Sequence, residues 1–154
     1  GDTPVTDHVE VNAVLHDPGT PVTRADSLVP YNNNISILAG SVKSETFTCT
    51  LPPGLKYLSL STHSHKQSVH TFIRDGVGNP ILFESTNFAH PGTVHFNQPP
   101  FLSLNQINYQ CDYVNPTNRT ITTGNSFATD ELCMAITYFF PATGPRLCFN
   151  NGLF

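Results

Sequence analysis

An all-β fold, a sandwich or jelly roll, is what the sequence predicts, and three observations carry that expectation. Apolar residues alternate, or run for several positions, between clusters of Pro, Gly and Asn. That is the pattern of short strands, and no stretch holds a 3.6-residue period. Turn signals recur roughly every ten residues, which suits an antiparallel β architecture better than strands joined by crossover helices. Charged residues make up only 12% of the chain, against a globular norm of about 25%. Solubility therefore rests on Ser, Thr and Asn, a poor composition for long solvated helices.

The first expected strand covers residues 7–15, where Val9, Val11, Ala13 and Leu15 alternate before the turn His16-Asp17-Pro18-Gly19. Residues 18–34 carry Pro18, Pro21 and Pro30 and end in Pro30-Tyr31-Asn32-Asn33-Asn34, which reads as a surface connection. Further strands are expected at 36–39, 44–51, 57–65, 69–75, 80–85, 93–96, 101–114, 119–123 and 131–140, each bounded by turn chemistry. There is no internal repeat. The 154 residues, with 38% hydrophobic content, 11 Phe and 5 Tyr, suit one domain over 1–154 with a proper core.

Composition also excludes partners. Eleven acidic against seven basic residues leave a net charge of −4, too few positive groups to neutralise a row of phosphates, so no nucleic acid is expected. No apolar run approaches the roughly 18 residues of a membrane span, and the amino end lacks the charged and apolar regions of a signal peptide. Cys49, Cys111, Cys133 and Cys148 contain no C-x-x-C pair, which disfavours a zinc ribbon and favours two disulfides in one of three connectivities. With the sequons at Asn34 and Asn118, this suits a secreted, extracellular or periplasmic protein.

The chemistry-bearing cluster is Thr62-His63-Ser64-His65. On a strand, alternation sends His63 and His65 to one face, their α-carbons about 7 Å apart, so both rings could reach one metal ion. Imidazole suits copper, zinc, iron and nickel alike, and the same pair also fits two histidines on a solvated face. Met134, the one methionine, is either a soft ligand that favours Cu(I) or core filler. His70, His90 and His95 are further imidazoles that could complete a site. Glu84 and Asp130 are the carboxylates a zinc hydrolase or cupin-like centre would need. No G-x-S-x-G elbow, phosphate-binding glycine loop or H-E-x-x-H helix is present.

From Ile35-Ser36-Ile37-Leu38-Ala39-Gly40 to Cys148, the chain resembles the C-terminal catalytic domain of the copper type II, ascorbate-dependent monooxygenases. These include peptidylglycine α-hydroxylating and dopamine β-monooxygenases. The resemblance runs through Thr62-His63-Ser64-His65-Lys66, Tyr109-Gln110-Cys111-Asp112-Tyr113, Thr129-Asp130-Glu131-Leu132-Cys133 and Tyr138-Phe139-Phe140-Pro141. It implies an antiparallel β-sandwich of jelly-roll type with disulfides Cys111-Cys133 and Cys49-Cys148. It also implies one mononuclear copper site, O2 as co-substrate, ascorbate or another external reductant, and hydroxylation of a C–H bond in a small-molecule or peptide substrate.

Carried over by position, His63 and His65 are copper ligands. The family's methionine ligand immediately precedes the second disulfide cysteine, where this chain has Leu132, so Met134, two residues on, is the expected replacement. The family's preceding domain, with its electron-donating copper, has no counterpart in these residues; electrons would come from a partner protein, a missing domain or a small reductant. The alternative expectation is a non-catalytic secreted module that binds copper, or another ligand such as a glycan, on the same sandwich.

Overall fold

A computed structural model describes residues 8–149 and 152–154. Among the described residues twelve strands run in chain order: β1 (Asp26–Asn32), β2 (Ser36–Ile37), β3 (Val42–Thr50), β4 (Lys56–Ser64), β5 (Ser68–Arg74), β6 (Ile81–Ser85), β7 (Val94–His95), β8 (Gln106–Val114), β9 (Ile121–Thr122), β10 (Cys133–Phe140), β11 (Arg146–Phe149) and β12 (Gly152–Leu153). There is no helix among the described residues.

The strands form a six-stranded sheet in the order β12-β11-β1-β10-β4-β7, a four-stranded sheet in the order β3-β8-β5-β6, and the small pair β2-β9. Pairing is antiparallel except between β1 and β11, which run parallel. Alternation decides what each sheet buries. On β10, Cys133, Ala135, Thr137 and Phe139 are buried while Met134, Ile136 and Tyr138 lie on the other face. Leu60 and Thr62 of β4 are buried likewise. Leu60, Ala135 and Phe139 meet Ile107 and Tyr109 of β8 and Ile73 of β5 in one core, with Leu28 and Ile37. A fully buried Leu, Ile or Phe in such a core contributes about 1.5–3 kcal/mol.

Both disulfides link the larger sheets. Cys49 on β3 joins Cys148 on β11, with α-carbons 6.3 Å apart, and Cys111 on β8 joins Cys133 on β10, with α-carbons 5.9 Å apart. A buried hydrogen bond of 2.7 Å between the Thr62 and Thr71 hydroxyls spans the same interface. The connectivity is the one the family resemblance implies.

Several expectations need correction. Residues 8–15 form no strand, and Val9 and Val11 are 79% and 88% exposed; Asp7 lies outside the described residues. Alternation alone makes no strand without a neighbour to take its backbone groups. The turn after it is present, with Thr20 N–H donating to the Asp17 carbonyl. The stretch 18–34, read as a connection, contains β1. Pro30 removes a donor and so argues against an inner strand, yet β1 lies between β10 and β11. Its assigned pairs with β10 run from Asp26 to Leu28 and resume at Tyr31, on either side of the proline. The expected strand at 101–114 begins only at Gln106, with a single bridge from Leu102 to Tyr57 ahead of it. The strands at 119–123 and 131–140 shorten to β9 and β10, while β11 and β12 were not foreseen.

Candidate metal centre

The regular pairing of β4 with β10 sets the site. His63 stands directly opposite Met134, between the pairs Ser64–Cys133 and Thr62–Ala135, and the only irregularity lies at Tyr138/Phe139, well down the strand. Directly opposed residues share a face with β-carbons about 4.5–5.5 Å apart, so the regular register alone sets Met134 beside His63. Across β10 the row continues to Tyr31, opposite Met134, and to Phe149, opposite Tyr31. The Tyr31 and Phe149 rings meet edge to face at 5.6 Å.

His65 follows the end of β4 and is 4% exposed. Its ring lies 5.5 Å from that of His63, centroid to centroid, and nearly perpendicular to it. Phe127 covers it edge-on at 5.8 Å and is in turn packed on Phe88. His65 Nδ1 is 2.9 Å from the Asp130 carbonyl oxygen. A carbonyl only accepts, so this contact places the proton on Nδ1 and leaves the Nε2 lone pair for a metal. The His63 ring carries no hydrogen bond to another described residue. Burial, and secondarily the neighbouring His65, hold its pKa below the ordinary imidazole value, which favours the neutral form a metal requires.

The turn after His65 is held from inside. Glu131, fully buried, accepts the His65 N–H at 3.0 Å on one carboxylate oxygen and the Gln67 N–H at 2.7 Å on the other. Burial raises its pKa, against the backbone hydrogen bonds that lower it. Asp130 closes the preceding loop, its carboxylate accepting from the Ser126 N–H and the Thr129 hydroxyl. That carboxylate fills the space beside Gly124, where an added β-carbon would come within 2.1 Å of it. Side-chain chemistry alone marks Asp130 as a carboxylate; its carbonyl is what touches the site.

Leu132 offers no donor atom, and its carbonyl accepts the Tyr113 hydroxyl at 2.7 Å. His70 sits on β5 in the four-stranded sheet, both ring nitrogens engaged, by Asp112 at 3.0 Å and Glu84 at 3.1 Å. Glu84 is therefore spent there. His95 on β7 pairs with Ser59, four residues along β4 from His63, and His90 is exposed in the loop before it. None of the three stands in the His63–Met134 row.

Among the described residues no group of three or more His, Cys, Asp or Glu is placed to hold a metal. What the structure brings together is the two imidazole rings, with Met134 in register opposite His63. Asn34 and Asn118 are both exposed. No helix of the described residues is long and apolar enough to cross a membrane.

No curated protein matches the chain. A family defined as "Copper type II ascorbate-dependent monooxygenase, C-terminal domain" matches residues 18–153, a longer stretch than the motifs alone mark out and one that takes in β1, β11 and β12. The chain thus belongs to the copper type II ascorbate-dependent monooxygenase family and represents its C-terminal domain.

Proposed function

We propose that this protein binds a single copper ion through His63, His65 and Met134 and serves as the O2-activating part of a monooxygenase. The observation that carries the reading is the register that sets Met134 opposite His63, which supplies a thioether beside the imidazoles although the family's ligand position holds Leu132. Copper bound there would supply the one-electron chemistry of O2 activation. The protein's own contribution is positional. His63, its pKa lowered by burial, and His65, with Nδ1–H on the Asp130 carbonyl, offer ring nitrogens side by side. Met134 favours the reduced ion, as a soft ligand should. Phe127, packed on Phe88, lies edge-on against the His65 ring. O2, an organic substrate and ascorbate or another reductant are the remaining reactants, and the two disulfides suit an oxidising, secreted setting.

Leu132 favours a second reading, a non-catalytic module that keeps the sandwich and holds copper, or another ligand, without turnover. An anaerobic Cu(I) titration against a chromophoric chelator separates the cases. One equivalent bound by the intact protein and lost in His63→Ala supports the copper centre, and ascorbate-dependent O2 consumption then decides between the two readings. No binding by either protein refutes the centre.

A further inference from the structure

We infer that Glu131 is a positioning residue for His65, fixing which ring nitrogen that histidine presents beside His63; the inference rests on the copper reading above for its consequence, not for its geometry. Nothing in the side chain's surroundings gives it contact with a substrate or with the rings' free nitrogens. Instead the carboxylate spans the turn between β4 and β5, taking the N–H of His65 on one oxygen and that of Gln67 on the other. The backbone of Glu131 is anchored independently, its N–H on the Thr122 carbonyl at 3.0 Å and its carbonyl taking the Gly124 N–H at 3.2 Å. A rigid post thus grips the backbone of His65, while the preceding residue, Asp130, offers its carbonyl to Nδ1–H of the same histidine.

Two consecutive residues therefore hold both the main chain and the ring of His65. If the grip on the main chain slackens, the ring and the Asp130 carbonyl no longer keep a 2.9 Å separation, and the proton is free to distribute between Nδ1 and Nε2. Only a side chain with two acceptor oxygens serves this arrangement. A glutamine in its place turns an N–H group toward one of the two backbone N–H donors, leaving that donor unpartnered in a buried place. Groups that orient a metal-binding imidazole in this way typically change metal affinity by about 10–100-fold when removed.

The test uses the full chain, first without metal. Long-range 1H–15N spectra of the histidine rings read the tautomer, and amide hydrogen exchange reads the His65 and Gln67 N–H groups. In the intact protein His65 is expected in the Nδ1–H form with both amides protected. In Glu131→Gln a mixture of tautomers and selective loss of protection at those two amides are expected, with Cu(I) affinity reduced roughly tenfold or more and stoichiometry unchanged. Glu131→Asp keeps both oxygens on a shorter arm and decides the matter by the same readouts if the glutamine variant does not fold. An unchanged His65 tautomer, or loss of protection spread evenly over the sandwich, overturns the inference. Failure of the intact protein to bind Cu(I) refutes the copper reading alone, since the tautomer and exchange results in metal-free protein still decide the role of Glu131.

Discussion

His63 and His70 sit on the outer faces of opposite sheets and meet opposite fates. His63 is partly buried, opposite Met134 and beside the His65 ring, its pKa pushed down by burial and then by His65. His70 lies between Asp112 and Glu84; burial alone would lower its pKa, but the hydrogen bonds and charges of the two carboxylates outweigh it and raise the value. Ser44 and Gln110 complete the second network by donating to Asp112. One residue type is thus steered to a lowered pKa and a ring without hydrogen bonds to the described residues in the first place, and to a raised pKa with both ring nitrogens engaged in the second. What distinguishes a candidate ligand from a structural histidine here is the presence of acceptors, not the exposure of the ring.

The largest expected effect breaks this contrast directly. His63→Ala should abolish Cu(I) binding in a competition titration, whereas His70→Ala should leave the affinity within about twofold, since the two rings share no partner. Equal losses in both variants would mean that the faces had been wrongly told apart. Next comes the bridge between the two regions, because Cys111 immediately precedes Asp112 and Cys133 immediately precedes Met134. Replacing both cysteines with alanine should lower stability to denaturant by about 3 kcal/mol, as expected for a cross-link closing a loop of this length. Intact Cu(I) affinity at low temperature would show that strand pairing alone keeps Met134 opposite His63.

A smaller effect is expected of Gly124→Ala, which sets a methyl group against the Asp130 carboxylate. Moving that loop should weaken Cu(I) binding several-fold through His65 while leaving the pH titration of His70 unchanged by NMR. The smallest effect sharpens the contrast by pH. His70 has a raised folded-state pKa, so its contribution is fully present below the unfolded value of about 6.5 and is lost as pH rises through the folded value. For a pair as exposed as Glu84 makes it, that contribution is at most about 1 kcal/mol. His63 has the opposite sign, binding fewer protons folded than unfolded, so it lowers stability as pH falls through the same ordinary value. In metal-free protein the NMR midpoint of His70 should lie above 6.5 and that of His63 below it; the reverse order would refute both assignments of cause.

Much of the fold was legible in the residues because period-two alternation and turn chemistry are local properties. The central strands β3, β4, β5 and β10 lie close to their expected places, and β8 ends where expected. The failures were at segments whose state depends on neighbours. Residues 9–15 have the alternation of a strand and pair with no strand among the described residues, while β1 has a proline in the run and two neighbouring strands. The strand β11 is four residues long and earns its place by parallel pairing with β1, which no local pattern announces.

At the site, the amino-acid sequence by itself determined that two histidines stand two residues apart at the end of one strand, that a leucine stands at the family's methionine position, and that four cysteines suit two disulfides. Spacing along one strand is enough for the first, and identity at one position for the second. Only the tertiary structure decided that Met134 faces His63, that His70 is held by carboxylates on the other sheet, and that the Asp130 carbonyl and the Glu131 carboxylate grip His65. Those relations join residues 14 to 71 positions apart in the chain, and their geometry follows from strand register and loop closure, which are set by the packing of the whole sandwich and not by any one segment.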